Sequence, residues 1–90
     1  NISMAFMACT GVTMKSGLTN ASAEEYITKK AIAENANSMI LLADHSKFGR
    51  ISLMPYSSME KLDAIVTDQP LPEEYASFCQ EPGIRVMTID

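Results

Sequence analysis

The chain has 90 residues, of which 47% are hydrophobic and 20% are charged, and its formal net charge is −4 at pH 7. Such a chain can form one small domain with a modest core, and its acidic balance argues against a nucleic-acid surface within this stretch. No apolar run approaches the roughly 20 residues that span a bilayer, and no signal peptide is visible, so we expect a cytoplasmic protein with no membrane partner.

The two cysteines, Cys9 and Cys79, have neither CxxC spacing nor histidine partners. This pattern is typical of reduced thiols packed inside a cytoplasmic protein. One histidine and scattered acids offer no spacing for a metal site, and we expect neither a metal nor a cofactor. The chain begins with Asn1 and enters an apolar segment almost at once, which favours a piece of a longer protein.

The first third of the chain predicts a strand, a loop and a helix. The apolar run at 4–9 predicts a buried strand, and residues 12–19 predict a loop in which Gly17 permits a turn. A helix is predicted from a capping box at 22–25 to residues 35–37. Its core-facing stripe is predicted to contain Ala23, Tyr26, Ile27, Ala31 and Ala33.

Five apolar residues at 39–43 predict the central strand. A run of this kind is typical of a strand buried on both faces, as in parallel sheets covered by helices. It ends at Asp44, and Lys47 follows three residues later. In open α/β sheets, ligands bind beyond the carboxyl ends of the strands. A carboxylate and an ammonium at that position suit a polyol and an anionic group, so this is the predicted site.

The second half predicts four further elements. An extended edge segment covers 50–56, because Pro55 cannot donate a hydrogen bond to a central ladder. A second buried strand is predicted at 63–68, a helix at 72–81 and a last strand at 84–89. This order indicates an α/β fold in three layers, with helices flanking a mostly parallel sheet.

The run Ala-Asp-His-Ser-Lys-Phe-Gly at 43–49 resembles the effector-sensing domain of the DeoR family of bacterial transcriptional repressors. The likeness includes Gly-Leu-Thr at 17–19, Lys-Lys-Ala-Ile at 29–32, Ile-Val-Thr-Asp at 65–68 and Leu-Pro-Glu-Glu-Tyr at 71–75. It covers nearly the whole chain. The resemblance implies the fold shared by ribose-5-phosphate isomerase, related sugar-phosphate enzymes and coenzyme A transferases.

The resemblance also implies a function. Residues 1–90 would be the C-terminal part of the sensor domain of a repressor that is not an enzyme. An N-terminal winged helix-turn-helix that binds operator DNA would precede them, together with the first part of the sensor and its glycine- and threonine-rich phosphate loop. A phosphorylated sugar would be the effector, and the whole protein would be a homo-oligomer whose DNA affinity the sugar changes.

Seven residues are candidates for binding the sugar phosphate. Asp44 would accept hydrogen bonds from sugar hydroxyls and Lys47 would contact the phosphate or a hydroxyl, although Asp44 can also cap its own turn and the two can pair. The other candidates are Gly11, Gly17, Thr19, Glu25 and Lys29. For these the alternatives are plain turns at the glycines and Thr19, the capping box at Glu25 and a solvated helix face at Lys29. His45 is not expected to act in acid–base chemistry.

Lys29 separates this interpretation from an enzyme. Counted back from Lys47, the catalytic glutamate of the isomerases falls at Lys29, and a lysine cannot act as the carboxylate base of that reaction. A sugar-phosphate isomerase is the alternative function, with Glu25 as its only candidate base. A structural module, using the sheet edge near Pro55 or the helices as a subunit interface, is a second alternative. A partial layered domain is further expected to expose an apolar face, and so to dimerise or be marginally stable alone.

Overall fold

The computed structural model describes residues 2–89, and Asn1 and Asp90, the two ends of the predicted 1–90 domain, lie outside the described residues. The larger sheet is parallel and its strands lie in the order β1 (Ile2–Met7), β4 (Ala36–Leu42), β6 (Ala64–Thr67) and β7 (Arg85–Thr88). The smaller sheet is antiparallel and contains β2 (Gly11–Thr13), β3 (Gly17–Asn20) and β5 (Met54–Ser57). The helices are α1 (Ala23–Asn35) and α2 (Glu73–Gln80), and two turns of 3-10 helix cover His45–Lys47 and Met59–Lys61.

Both helices cover the same face of the parallel sheet. Successive strands are added in one direction across it, and right-handed crossovers then place every connection on one side. On that side Met7 lies beside Leu41, and Leu41 lies beside Ile65. These three side chains are buried in one core cluster with Ala33 of α1 and Tyr75 of α2. The α/β class and the mostly parallel sheet are therefore confirmed.

The opposite face of the parallel sheet is open within residues 2–89. Phe6 is 61% exposed and Leu42 is 45% exposed, and Met4 and Met87 also face solvent. The prediction that the strand at 39–43 is buried on both faces is therefore wrong for the described residues, because only one covering layer comes from this stretch. The strand predicted as buried at 4–9 is likewise buried on one face only. The expected apolar face of a partial layered domain is present, and we refer to Met4, Phe6, Leu42 and Met87 as the open sheet face.

Helix α1 begins where the capping residues predict but packs through a stripe that only partly matches the predicted one. The Ser22 hydroxyl accepts a hydrogen bond from the Glu25 amide at 3.3 Å. Ile27 is 68% exposed and Ala23 and Ala31 face solvent, so this part of the predicted stripe is wrong. The predicted Tyr26 and Ala33 do lie on the packed face, and Lys29 and Ile32 take the remaining places there.

The segment predicted as a loop at 12–19 forms β2 and β3 with a tight turn between them. Gly17 lies at φ +76° at the start of β3, as expected for a turn glycine. Pro55 lies in β5, an outer strand of the small sheet, which confirms the edge assignment. No helix among residues 2–89 is both long and apolar enough to cross a membrane.

Candidate functional site

The candidate site lies at the carboxyl edge of the parallel sheet, where β1 and the adjacent β4 both end. Ala8 and Cys9 follow β1, and Asp44 and the 3-10 turn at His45–Lys47 follow β4. Because parallel strands end at the same edge, these two segments lie side by side. The structure therefore brings the predicted Asp44 and Lys47 next to the end of β1.

Asp44 is the capping residue of the 3-10 turn. Its carboxylate accepts hydrogen bonds from the Ser46 amide at 2.8 Å and from the Ser46 hydroxyl, and Lys47 Nζ donates to it at 3.0 Å. The Ser46 hydroxyl and then the Lys47 ammonium hold the pKa of Asp44 well below its usual range. About half of the Asp44 side chain remains exposed. The predicted capping and the predicted ion pair are both confirmed, and exposed carboxylate surface is left for a ligand.

Lys29 reaches across from α1 to the end of β1. Its ammonium donates hydrogen bonds to the Asn20 side-chain oxygen at 2.8 Å and to the Ala8 carbonyl at 3.0 Å, and it lies 3.6 Å from Glu25 Oε1. The Asn20 amide nitrogen in turn donates to Glu25 Oε1 at 2.6 Å. Hydrogen bonds and an ion pair therefore hold Lys29 at the end of β1, and Lys29 does not lie on a solvated helix face.

Tyr56 contacts the same strand end through its hydroxyl. Its hydroxyl donates to the Ala8 carbonyl at 2.8 Å, and Lys29 Nζ lies 5.7 Å from the centre of its ring. Tyr56 is buried, and this burial raises the pKa of its phenol. The ring therefore stays neutral and offers a face that attracts the Lys29 ammonium.

Cys9 follows Ala8, whose carbonyl accepts the Lys29 hydrogen bond at the end of β1. Burial raises the pKa of its thiol to about 11; the Lys29 and Lys47 ammoniums oppose this rise and Asp44 adds to it. Lys29, Lys47 and Asp44 are thus all close enough to influence the Cys9 thiol, which follows the end of β1. The thiol stays protonated near neutral pH, so it is not a nucleophile.

Gly11, Gly17 and Thr19 have packing roles in the small sheet. A side chain at Gly11 would come within 2.2 Å of the Arg50 carbonyl oxygen, and one at Gly17 within 2.1 Å of the Ser57 carbonyl oxygen. The buried Thr19 hydroxyl donates to the Gly11 carbonyl and accepts from the Ser52 amide, both at 2.9 Å. These contacts use the one donor and one of the two acceptor sites of the Thr19 hydroxyl within the fold, and direct contact of Thr19 with a ligand stays a prediction.

Asn20, Tyr56 and Asp68 belong to the site region but were not candidates from the sequence. Asp68 accepts the His45 amide at 2.7 Å and lies 2.9 Å from His45 Nδ1. Asp68 could have been found because it follows β6, the neighbour of β4, at the same sheet edge. Asn20 and Tyr56 carry no comparable local signal, since they meet Lys29 only through the small sheet.

The candidate site contains equal numbers of carboxylates and ammoniums. Glu25 with Lys29 and Asp44 with Lys47 supply two carboxylates and two ammoniums, which can accept hydrogen bonds from hydroxyls and donate to an anionic oxygen. Within residues 2–89, no group of three or more acidic, cysteine or histidine side chains is arranged to hold a metal ion.

Comparison with known proteins identifies relatives of one kind. Residues 1–69 match the family model of the DeoR C-terminal sensor domain. The HTH-type transcriptional regulator IolR of Bacillus subtilis (strain 168) is 49% identical over 86 residues, which are 96% of this chain and 34% of that protein. The glycerol-3-phosphate regulon repressor of Escherichia coli (strain K12) is 36% identical over 66 residues, which are 73% of this chain and 26% of that protein.

The deoxyribose operon repressor of Escherichia coli (strain K12) is 30% identical over 84 residues, covering 93% of this chain and 33% of that protein. The chain therefore spans about a third or less of the length of each of these relatives.

Proposed function

From the premise that this chain belongs to the DeoR C-terminal sensor domain family, we propose that it is the C-terminal part of the effector-sensing domain of a transcriptional regulator. In the whole protein, an N-terminal winged helix-turn-helix binds operator DNA and the first part of the sensor precedes residue 1. The relatives support this assignment, because each is about three or more times longer than the matched segment and is a transcriptional regulator or repressor by name.

The effector is a phosphorylated sugar or a similar small phosphorylated polyol. The observation that carries this proposal is the convergence of Asp44, Lys47 and Lys29 on the carboxyl ends of β1 and β4. A carboxylate recognises vicinal hydroxyls, and ammoniums recognise phosphate oxygens as point charges. Two relatives are named for the glycerol-3-phosphate regulon and the deoxyribose operon, which supports a small polyol as the ligand class.

Each candidate residue has a role in this proposal. Asp44 accepts hydrogen bonds from sugar hydroxyls, and Lys47 and Lys29 donate to the phosphate or to hydroxyls. Glu25, together with Asn20, orients Lys29. The remaining candidates, Gly11, Gly17 and Thr19, shape the backbone beside the ligand through their packing contacts.

The site binds its ligand without converting it. Isomerisation of a sugar phosphate needs a carboxylate base within hydrogen-bond reach of a carbon-bound proton. The candidate base, Glu25, lies in the first turn of α1 and already accepts a hydrogen bond from Asn20 and pairs with Lys29. These partners favour a positioning role for Glu25 over a catalytic one.

The ligand acts by changing DNA affinity. If the phosphorylated sugar binds one arrangement of the subunits more tightly than another, it shifts their equilibrium and with it the affinity for operator DNA. In this proposal the regulator is a homo-oligomer and a repressor, and the sugar phosphate releases it from its operator.

The test is DNA release by the full-length regulator. Fluorescence anisotropy of labelled operator DNA is followed while phosphorylated sugars and their unphosphorylated forms are added, and aldose–ketose conversion is assayed in the same tubes. We expect one phosphorylated sugar to release the DNA and no sugar to be converted. Lys29→Met should raise the sugar concentration for half-release by about tenfold or more, as expected for losing a hydrogen bond from a charged group.

Lys30→Met is the matched control. Lys30 neighbours Lys29 on α1 and also lies over a tyrosine ring, with Nζ 5.5 Å from the centre of Tyr26, but it is exposed and its hydrogen bond goes to the Tyr26 hydroxyl. Lys30→Met should leave the response unchanged. Conversion of a sugar phosphate that Glu25→Gln abolishes, with no DNA release by any sugar, would show instead that the protein is an isomerase.

A further inference from the structure

A second acid, Asp68, holds the turn on which the proposed ligand contacts lie. It follows β6, which pairs with β4 in the parallel sheet. Both of its carboxylate oxygens face His45, the first residue of the 3-10 turn. Oδ1 accepts the His45 amide hydrogen bond at 2.7 Å, and Oδ2 lies 2.9 Å from the His45 ring atom Nδ1. The contact joins residues that are 23 positions apart in the chain.

Inside the turn, the hydrogen bonds fix its shape but not its location. The Asp44 carboxylate binds Ser46 and Lys47, and the Lys47 amide donates to the Asp44 carbonyl at 3.1 Å. Among residues 2–89, Asp68 is the side chain from outside the turn that hydrogen-bonds to residues 44–47. Backbone hydrogen bonds anchor the chain on either side of the turn, from the Ala43 amide to the Val66 carbonyl at 3.1 Å and from the Gly49 amide to the Val12 carbonyl at 2.9 Å. Between these two anchors, the Asp68 carboxylate restrains where His45 lies.

The side-chain hydrogen bond with His45 lowers the pKa of Asp68 below its usual value. The lower pKa favours the ionised carboxylate, which presents two acceptors to His45. A contact through two atoms restrains both the position and the rotation of His45, which a single hydrogen bond does not.

We infer that Asp68, through its two contacts with His45, is a positioning residue that holds Asp44 and Lys47 where the sugar phosphate binds. This inference rests on the proposed function. A ligand contact must be held within about half an ångström of its productive geometry by supporting residues. Without Asp68, the turn keeps its backbone anchors at Ala43 and Gly49 but loses the side-chain restraint on His45, so we expect Asp44 and Lys47 to shift.

The chain offers a matched control at the other end of β6. Asp63 immediately precedes that strand, and its Oδ2 accepts the Met39 amide of β4 at 2.8 Å. Asp63 and Asp68 therefore make the same kind of bond, from a carboxylate beside β6 to a backbone amide of the β4 segment. Asp63 lies at the amino edge of the sheet, away from the site, so its loss reports only the structural effect of such a bond.

The experiment measures ligand affinity in the full-length regulator. Calorimetric titration with ribose 5-phosphate, glucose 6-phosphate, fructose 1-phosphate and glycerol 3-phosphate identifies the probe that the wild type binds most tightly. That probe is then titrated into Asp68→Ala, Asp68→Asn and Asp63→Ala, and the melting temperature of each variant is recorded. Amide chemical shifts of residues 44–47 are compared in the same variants without ligand.

We expect Asp68→Ala to weaken binding about tenfold or more and to shift the amides of residues 44–47. Asp68→Asn keeps an oxygen that accepts the His45 amide hydrogen bond, and its NH2 group can donate to Nδ1 of a neutral His45 ring, so both contacts can form. It should therefore recover most of the affinity, and it serves as the folded variant if Asp68→Ala does not fold. Asp63→Ala should lower the melting temperature but keep wild-type affinity and wild-type shifts at residues 44–47.

The possible failures are distinguishable. If the wild type binds a probe and Asp68→Ala binds it equally well, or if Asp63→Ala is as weak as Asp68→Ala, the inference is wrong and the proposed function stands. Equal weakness of Asp68→Asn and Asp68→Ala would overturn positioning in favour of direct contact between Asp68 and the ligand. If the wild type binds no probe, the proposed function is contradicted for these ligands, and unchanged amide shifts at residues 44–47 in Asp68→Ala still overturn the inference.

Discussion

The Thr19 hydroxyl is expected to stabilise the fold, and Thr19→Val measures by how much. The side chain is fully buried, its hydroxyl donates to the Gly11 carbonyl and the Ser52 amide donates to it, both at 2.9 Å. Valine has nearly the same shape but leaves both backbone groups without this partner. A buried group that loses its partner costs about 1 to 3 kcal/mol. Since Ser52 is partly accessible to water, we expect a total loss of about 2 to 4 kcal/mol.

Urea denaturation followed by circular dichroism measures this loss as a lower midpoint at unchanged slope. For a chain of this size, a loss of about 2 to 4 kcal/mol corresponds to a fall in melting temperature of roughly 10 to 30 °C. Thr19→Ser is the control, because it keeps the hydroxyl and removes only a methyl group, so it should cost about 1 kcal/mol. A Thr19→Val variant within about 0.5 kcal/mol of the wild type would refute the packing role and return Thr19 to the group of direct ligand contacts.

Four further predictions concern other parts of the molecule. Gly17 and Gly83 have nearly the same positive φ, 76° and 78°, but of the two only Gly17 is packed against backbone. In urea denaturation, Gly17→Ala should therefore cost about 1 to 3 kcal/mol more unfolding free energy than Gly83→Ala. Equal costs would contradict the close approach of Gly17 to the Ser57 carbonyl. Because the pKa of Asp44 is lowered in the fold, the Asp44 carboxylate stabilises the fold fully above its unfolded pKa of about 4, and this stabilisation is lost as the pH falls below that value. Acid unfolding should therefore depend less steeply on pH in Asp44→Asn than in the wild type. Identical acid-unfolding curves would count against this stabilisation. The Cys9 thiol, with its pKa raised to about 11, should resist iodoacetamide at about pH 8 in the folded protein and react with it in guanidinium chloride. Mass spectrometry measures the labelling, and rapid labelling of the native protein would contradict the burial of Cys9. Phe6→Gln on the open sheet face should reduce binding of a hydrophobic dye to the 90-residue chain. It should change the unfolding free energy by no more than about 0.5 kcal/mol. A larger loss of stability would mean that Phe6 is part of the core.

The sequence predicted where Asp44 and Lys47 lie in the fold because the information there is local. A run of apolar residues that ends at an acid marks both the strand and its carboxyl end, and a lysine three residues later is close enough to pair with that acid. The turn at His45–Lys47 and the ion pair between Asp44 and Lys47 follow from this spacing.

The Lys29 part of the site was less predictable because its partners come from three separate segments. Lys29 was a ligand candidate from the resemblance, but Asn20 and Tyr56 meet it only after the small sheet folds beside α1. The same arrangement explains the error in the helix stripe. A lysine on the packed face breaks the apolar spacing, because its methylene stem packs along the protein while its ammonium binds the Ala8 carbonyl.

The layer arrangement was predicted in class but not in detail. An apolar run shows that a strand can be buried on both faces, but it does not show which segment supplies each cover. In residues 2–89 the helices cover one face, and Phe6 and Leu42 remain exposed on the other.

The most direct test of the proposed function is a calorimetric titration of the full-length protein with the phosphorylated sugar that the DNA-release assay identifies. We expect that the wild type binds this sugar, that the unphosphorylated form binds far more weakly, and that Asp44→Asn weakens binding of the phosphorylated form by about tenfold or more. Equal affinity of Asp44→Asn and the wild type, or equal binding of the phosphorylated and unphosphorylated sugars, would contradict the proposed function.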